Sequence, residues 1–189
     1  REKIVTAKMI SSIQQLSNNR FLLGVGPGYL EEEFKALGIN LKDRGKITNE
    51  TLDFLIKASK DSKIINNGQE ILLEPKLTLP PIYIGQMAKV AFSRTIRFAR
   101  GWMPVSISPE ELAPKVIELK NQAKAAGRGE IEIIAMKTLP LDDIESAKKM
   151  AIAYKDAGAT QLVHTQGYET VAHYQEIIEK LEKSIKPLI

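Results

Sequence analysis

Hydrophobic positions along this chain switch between a spacing of three or four and short unbroken runs, and the alternation marks out strand–helix units. From Lys3 to Leu16 the residues Ile4, Ala7, Ile10, Ile13 and Leu16 recur every three, which predicts an amphipathic helix burying that row. Ser17-Asn18-Asn19-Arg20 ends it, Phe21 to Val25 reads as a short buried strand, and Gly26-Pro27-Gly28 as the turn that closes the strand. A short helix from Leu30 to Leu37 stops at Gly38, the residue type that tolerates a left-handed helix cap. A second helix is expected over 45–59, with Ile47, Leu52, Leu55 and Ile56 inward.

Residues 61–79 break the pattern. Ile64-Ile65, Asn66-Asn67-Gly68 and Glu70 to Leu73 predict a small hairpin, because Asn-Gly suits a primed two-residue turn. The units resume with a strand at Ile82-Tyr83-Ile84, and Gly85-Gln86 leads into a helix over 87–99. A strand at 101–104 is followed by Ser108-Pro109-Glu110-Glu111, a capping box with proline in the first helical turn, opening a helix that runs to Gly127. A strand at 131–136 precedes Asp142-Asp143-Ile144-Glu145, read as a second capping box, and its helix ends at Gly158. The last strand covers 160–164 and the last helix 169–186. Five strands alternating with helices imply parallel strands with right-handed crossovers, in an open doubly wound sheet or a (β/α)8 barrel.

Composition narrows the classes without choosing among them. The chain has 189 residues, 43% of them hydrophobic and 26% charged, with a net charge of +4 spread along its length. No apolar run reaches the roughly 18 residues that span a bilayer, and no charged–apolar–small leader opens the chain. Charge gives no footprint for nucleic acid, since no block of like charges occurs. Cysteine is absent, which removes disulfides, thiolate metal sites and a cysteine nucleophile and fits a cytoplasmic location. With only two histidines, no metal site is expected. Lys, Glu and Ile are used heavily, a weak sign of a heat-adapted source.

Candidate chemistry concentrates at strand ends. Gly24-Val25-Gly26-Pro27-Gly28-Tyr29 approaches a dinucleotide fingerprint, but Tyr29 stands where that motif needs its last glycine. The alternatives are a tight structural turn, or a bare backbone against which a flat ligand lies. Gly85 ends a strand and opens a helix, which aims the free amides of Gln86, Met87 and Ala88 above the strand, where they and the helix dipole favour an anion; an ordinary strand-to-helix turn is the alternative. Arg94, Arg97 and Arg100, three apart near that helix's end, read as a solvated face complementing the dipole. Glu33 and Arg44 flank Gly38 and suggest a structural pair across it, and Tyr83 and Trp102 read as core. His164 ends the last strand, where barrel enzymes carry their active residues, and is the candidate proton donor. His173 reads as a surface residue.

In order, these pieces resemble the luciferase-like oxidoreductases, the flavin- and deazaflavin-dependent barrel family. The resemblance rests on Thr6-Ala7-Lys8 with Leu16-Ser17 and Arg20 to Gly26, on Gly28-Tyr29, Glu33-Phe34, Leu37-Gly38, Arg44 and Glu50, on Pro80 to Gly85, and on Gly101-Trp102-Met103-Pro104. Two positions depart from it: Gln86 stands where the family has a second glycine, and Arg100 where it has an acidic residue. The resemblance implies a (β/α)8 fold, incomplete here, as one domain over 1–189 that corresponds to the barrel's C-terminal part. It implies an oxidoreductase, in places a monooxygenase, that uses a deazaflavin coenzyme (F-420 type) or FMN on a small organic substrate. A non-catalytic or truncated relative is the alternative. Gly85, Gln86 and Met87 would then hold the phosphate, Gly26 and Gly28 lie near the ring, and His164 stand on the wall. A full barrel takes about 250 residues, so the chain is expected to be truncated or cleaved, to close its sheet in a homo-oligomer by pairing with another copy or to form a rearranged open sheet, and to be weak or inactive in catalysis alone.

Overall fold

A computed structural model describes residues 2–87 and 89–188 of the chain. It divides into two compact units, 1–83 and 84–189, the break falling inside a strand.

The first unit begins with α1 (Lys3–Leu16), which matches the predicted helix end for end but not its face. Ala7, Ile10, Ser11 and Gln14 are buried, whereas Ile13 is 43% and Leu16 88% exposed. A spacing of three falls short of the 3.6-residue turn, so by Leu16 the predicted row has drifted about 120° from Ile4. The true stripe uses spacings of three and four and takes polar side chains with it. Ser11 Oγ and Gln14 Oε1 are buried without a hydrogen-bond partner among the described residues. Next come β1 (Leu23–Val25), shorter than the strand expected over 21–25, and α2 (Glu31–Ala36). A 3-10 turn at Leu41–Asp43 then leads into α3 (Arg44–Lys60). Leu52 and Leu55 of α3 are buried as expected, joined by Phe54 and Ala58.

The hairpin forms as the Asn-Gly signal predicts: β2 (Lys63–Asn66) pairs antiparallel with β3 (Gln69–Leu72), Asn66 opposite Gln69. Asn67 (φ 50°) and Gly68 (φ 77°) fill the turn, both left-handed as a type I′ turn requires. Ala7, Ile10, Phe54, Leu55, Ala58, Ile64, Leu73 and Leu77 make the unit's core, with Leu23 packed against it. The Leu23 N–H donates to Pro81 O at 2.9 Å, setting β1 beside β4 (Ile82–Ile84).

The second unit takes up the end of β4 and continues through α4 (Lys89–Phe98), β5 (Gly101–Trp102), α5 (Pro109–Ala125), β6 (Glu132–Lys137), α6 (Ile144–Asp156), β7 (Gln161–His164) and α7 (Val171–Lys180). The Met103 N–H donates to Ile84 O, β5 pairs parallel with β6, and β6 pairs parallel with β7. Strand order in the large sheet is β1-β4-β5-β6-β7, and helical structure follows every one of these strands. This is (β/α)8-type architecture with five of the eight strands.

Capping decides where the helices of this unit begin. Ser108 and Glu111 exchange the two hydrogen bonds of a capping box, as expected. The second box does not form: Asp143, not Asp142, caps α6, accepting from Ser146 N–H and Ser146 Oγ, while Glu145 pairs with Lys148. Those same Ser146 bonds hold the Asp143 carboxyl below its ordinary pKa. The last helix starts at a Thr170 cap, and its regular α portion ends at Lys180. A π-helical turn (Leu181–Ile185) and a 3-10 turn (Lys186–Leu188) follow.

Candidate functional site

In the first unit the turn after β1 borders a cavity of about 490 Å³. Gly24, Gly26, Pro27 and Gly28 give it a wall of nearly bare backbone, and Phe34, Ile39, Ile47, Leu52 and Leu55 give it apolar sides. Gly28 has φ +81°, and a Cβ there would lie 3.0 Å from Phe34 Cε2, so glycine is what lets the ring close on the turn. Gly26 and Gly28, predicted to lie near a flat ring, thus both line this one cavity. Thr6, Glu33, Arg44, Thr48 and Thr51 bring polar groups to it. Among the described residues no ion pair joins Glu33 to Arg44, the pair expected across Gly38. Arg44 donates Nη1–H to Leu41 O at 2.9 Å, which fastens its guanidinium to the 3-10 turn, and Glu33 is exposed.

In the second unit the turn after β4 is built differently. The carbonyl of Gln86 accepts the Trp102 indole N–H at 2.7 Å, and its side-chain Oε1 accepts from Arg94 Nη1 at 2.8 Å. Trp102 is fully buried and meets Phe92 edge-on at 5.1 Å between centroids. Tyr83 is buried too, so both aromatics are core residues as expected. Arg94 corrects the reading of a solvated arginine row: it is 4% exposed, its side chain running back along α4 to the turn. Burial pulls its pKa below the ordinary value, and it stays charged at any ordinary pH. Arg97 stacks over the Phe98 ring at 4.5 Å. Arg100, the residue standing where the resembled family has an acid, pairs with Glu132 at 2.6 Å.

These bonds leave the backbone N–H groups of Gly85, Gln86 and Met87 without a partner among the described residues, at the entry to α4, while Ala88, expected to add its own amide, lies outside the described residues. Bare donors, a helix N-terminus and a buried cation fit an anionic group such as a phosphate. The signal sequence reasoning missed is Arg94. Its clue lay in Gln86, whose side-chain oxygen needs a donor once the turn is packed.

His164 ends β7 opposite Lys137 of β6. Its Nδ1 accepts the Leu139 N–H at 3.0 Å, so the neutral ring carries its proton on Nε2, which lies 2.9 Å from Gln166 Oε1. The ring is half-buried and held at both nitrogens. His173 is half-buried on α7. Among the described residues no group of three His, Asp or Glu side chains could hold a metal ion, and no helix is long and apolar enough to cross a membrane.

Comparison with known proteins adds the following. The sequence profile of a family described as luciferase-like monooxygenase matches residues 1–185. An uncharacterised protein of Mycobacterium tuberculosis is 26% identical over 172 residues, 86% of this chain and 57% of that protein. A 5,10-methylenetetrahydromethanopterin reductase of Methanolobus tindarius is 25% identical over 174 residues, 86% of this chain and 53% of the reductase. The chain therefore spans a little over half the length of these relatives. Among solved structures, an F-420-dependent secondary alcohol dehydrogenase bound to an F-420–acetone adduct superposes with a TM-score of 0.81 at 14% identity, covering 100% of this chain and 76% of that one. The FMN-bound oxygenating constituent of 3,6-diketocamphane monooxygenase from Pseudomonas putida gives 0.75 at 13% identity, with the same coverage of both chains. At such identities these two likenesses speak for the fold.

Proposed function

The chain belongs to the luciferase-like monooxygenase family, and on that premise we propose that it serves an oxidoreductase using a deazaflavin coenzyme or FMN. The observation that carries the reading is the turn after β4, where Gly85, Gln86 and Met87 present N–H groups at the start of α4 while Arg94 and Trp102 hold Gln86 from behind. A reduced flavin or deazaflavin supplies the hydride or electrons. The chain's own part is to take the cofactor's phosphate on those three amides, with the helix dipole and the Arg94 charge favouring the anion. Gln86, in place of the family's second glycine, keeps its backbone donor and uses its side chain to anchor Arg94. In the first unit, the bare backbone of Gly26 and Gly28 lets a flat ring or substrate approach closely. His164 offers its Nε2–H as a donor at the end of β7. The two relatives of known activity that support the cofactor choice are an F-420-dependent dehydrogenase and an FMN-bound oxygenase.

A second reading, a cofactor-binding relative without turnover, is favoured by His164, whose two nitrogens are already engaged by Leu139 and Gln166. One set of measurements separates the two. Titration of deazaflavin and FMN should give saturable binding, weakened about tenfold or more in Gly85→Val, since lost buried donors cost about 1–3 kcal/mol. Unchanged affinity in that variant would remove the phosphate turn, and no binding to the parent would remove the function. With binding in hand, oxidation of the reduced cofactor by candidate acceptors, slowed in His164→Phe, supports catalysis. Full activity in His164→Phe returns that histidine to a structural role.

A further inference from the structure

The cavity of the first unit carries more than a place beside a glycine turn. Its volume, about 490 Å³, lies within the range of small-molecule sites, and its lining follows their pattern of apolar walls with a few fixed polar groups. The walls come from two directions. Phe34 leans over from α2, and Ile47, Leu52 and Leu55 come from α3, Leu52 and Leu55 being 1% and 2% exposed.

Three of the polar groups stand together, with Thr6 on α1 and Glu33 on α2 apart from them. Arg44, Thr48 and Thr51 stand on the first two turns of α3, at spacings of four and three, and so share a helix face. The Thr48 hydroxyl is spent on Arg44 O at 2.7 Å. Arg44 commits Nη1 to Leu41 O, which orients the planar guanidinium and leaves Nε and Nη2 as donors. The Thr51 hydroxyl makes no hydrogen bond among the described residues. Glu33 also lines the cavity, but its side chain is exposed and its charge is spent largely on solvent. The half-buried Arg44 therefore sets the sign of the polar end. The planar fork of Arg44 matches a carboxylate better than a point anion, because the fork donates two parallel bonds.

We infer that this cavity binds a small organic carboxylate with an apolar body, its carboxylate on Arg44 and its body against Phe34, Ile47 and Leu52. The site lies wholly within the first unit, on the glycine turn that the proposed function gives to a ring or substrate, and it rests on that reading for its occupant being a substrate; carboxylate binding itself is tested without cofactor.

The probe is octanoate, titrated into the full chain by calorimetry, with methyl NMR spectra of the Ile and Leu side chains recorded alongside. Octanol and butyrate serve as the uncharged and the short comparisons. Saturable octanoate binding at least tenfold tighter than either is expected, with the largest methyl shifts at Ile47, Leu52 and Leu55. Arg44→Met should bring octanoate down to the affinity of octanol while leaving octanol binding within about twofold. The methyl shifts of the unaltered protein locate the ligand even where Arg44→Met disturbs the fold. Absence of saturable binding overturns the proposal. So does octanol binding as tightly as octanoate, or a shift pattern centred away from α3.

Discussion

The turn after β1 meets its surroundings through apolar contact, Gly28 against the Phe34 ring, at the edge of a cavity. The turn after β4 is pinned by hydrogen bonds from behind, Gln86 held by an indole and a buried guanidinium. Both are strand-to-helix glycine turns in one chain, and in sequence they look alike. The difference lies in the residues far along the chain that reach back to each. The first turn can adapt to an occupant, because apolar contacts have no direction to lose. The second holds its amides in a set geometry, because moving Gln86 would leave the buried Trp102 indole N–H unpaired, at a cost of about 1–3 kcal/mol. One turn is suited to shape, the other to charge.

Removing the indole breaks the pinned turn most severely. Trp102 is fully buried, so Trp102→Ala should cost about 3–5 kcal/mol and release the Gln86 carbonyl. Denaturant unfolding followed by circular dichroism reads the loss; a decrease below about 1 kcal/mol would show that the turn does not depend on Trp102.

The adaptable turn yields to a smaller change. Gly28→Ala places a side chain at φ +81° and within 3.0 Å of the Phe34 ring, a strain of about 1–3 kcal/mol. In a Phe34→Leu background the contact part should vanish while the backbone part stays, so the cost of Gly28→Ala should fall by roughly half. An equal cost in both backgrounds would mean that Phe34 does not close the turn. Read beside Trp102→Ala, the pair separates strain held in a backbone angle from strain held in a hydrogen-bonded network.

Sequence reasoning recovered what local chemistry decides. Asn67-Gly68 announced the hairpin because few residues accept a left-handed angle, and Ser108 with Glu111 announced a helix start because both side chains serve the same few amides. It placed Gly85 and Gln86 at a strand end, and the comparisons bear out the family that those motifs suggested. It failed where two local signals competed or a distant residue decided. Asp142 and Asp143 can each cap a helix, and Ser146 chose between them by answering Asp143 with both its amide and its hydroxyl. Arg94 looked like a dipole-complementing surface cation because nothing within its own helix shows that Gln86, eight residues earlier, will fold back to receive it. The α1 face was misjudged because a strict spacing of three resembles a helix stripe over two turns and leaves it over four.

Side-chain donors pin a second loop of the same unit, and it can be probed with pH. Tyr154 on α6 is 1% exposed and donates its hydroxyl to Ile107 O, in the loop after β5. Burial, then the nearby charges of Glu110 and Glu111, raise its pKa above the ordinary value of 10.0. A group raised on folding favours its protonated form in the native state. Its contribution is therefore fully present below the unfolded pKa, near 10, and is lost as pH rises through the higher folded value. Stability of the second unit should be level through neutral and mildly alkaline pH and decline above about pH 10. Tyr154→Phe should start about 1 kcal/mol lower, because Ile107 O loses its donor, but decline less steeply in that alkaline window. The chain's single tryptophan, Trp102, lies in the second unit, so its fluorescence during denaturant unfolding reads this unit directly. Parallel alkaline declines in parent and variant would show that the Tyr154 hydroxyl does not anchor the loop through its proton.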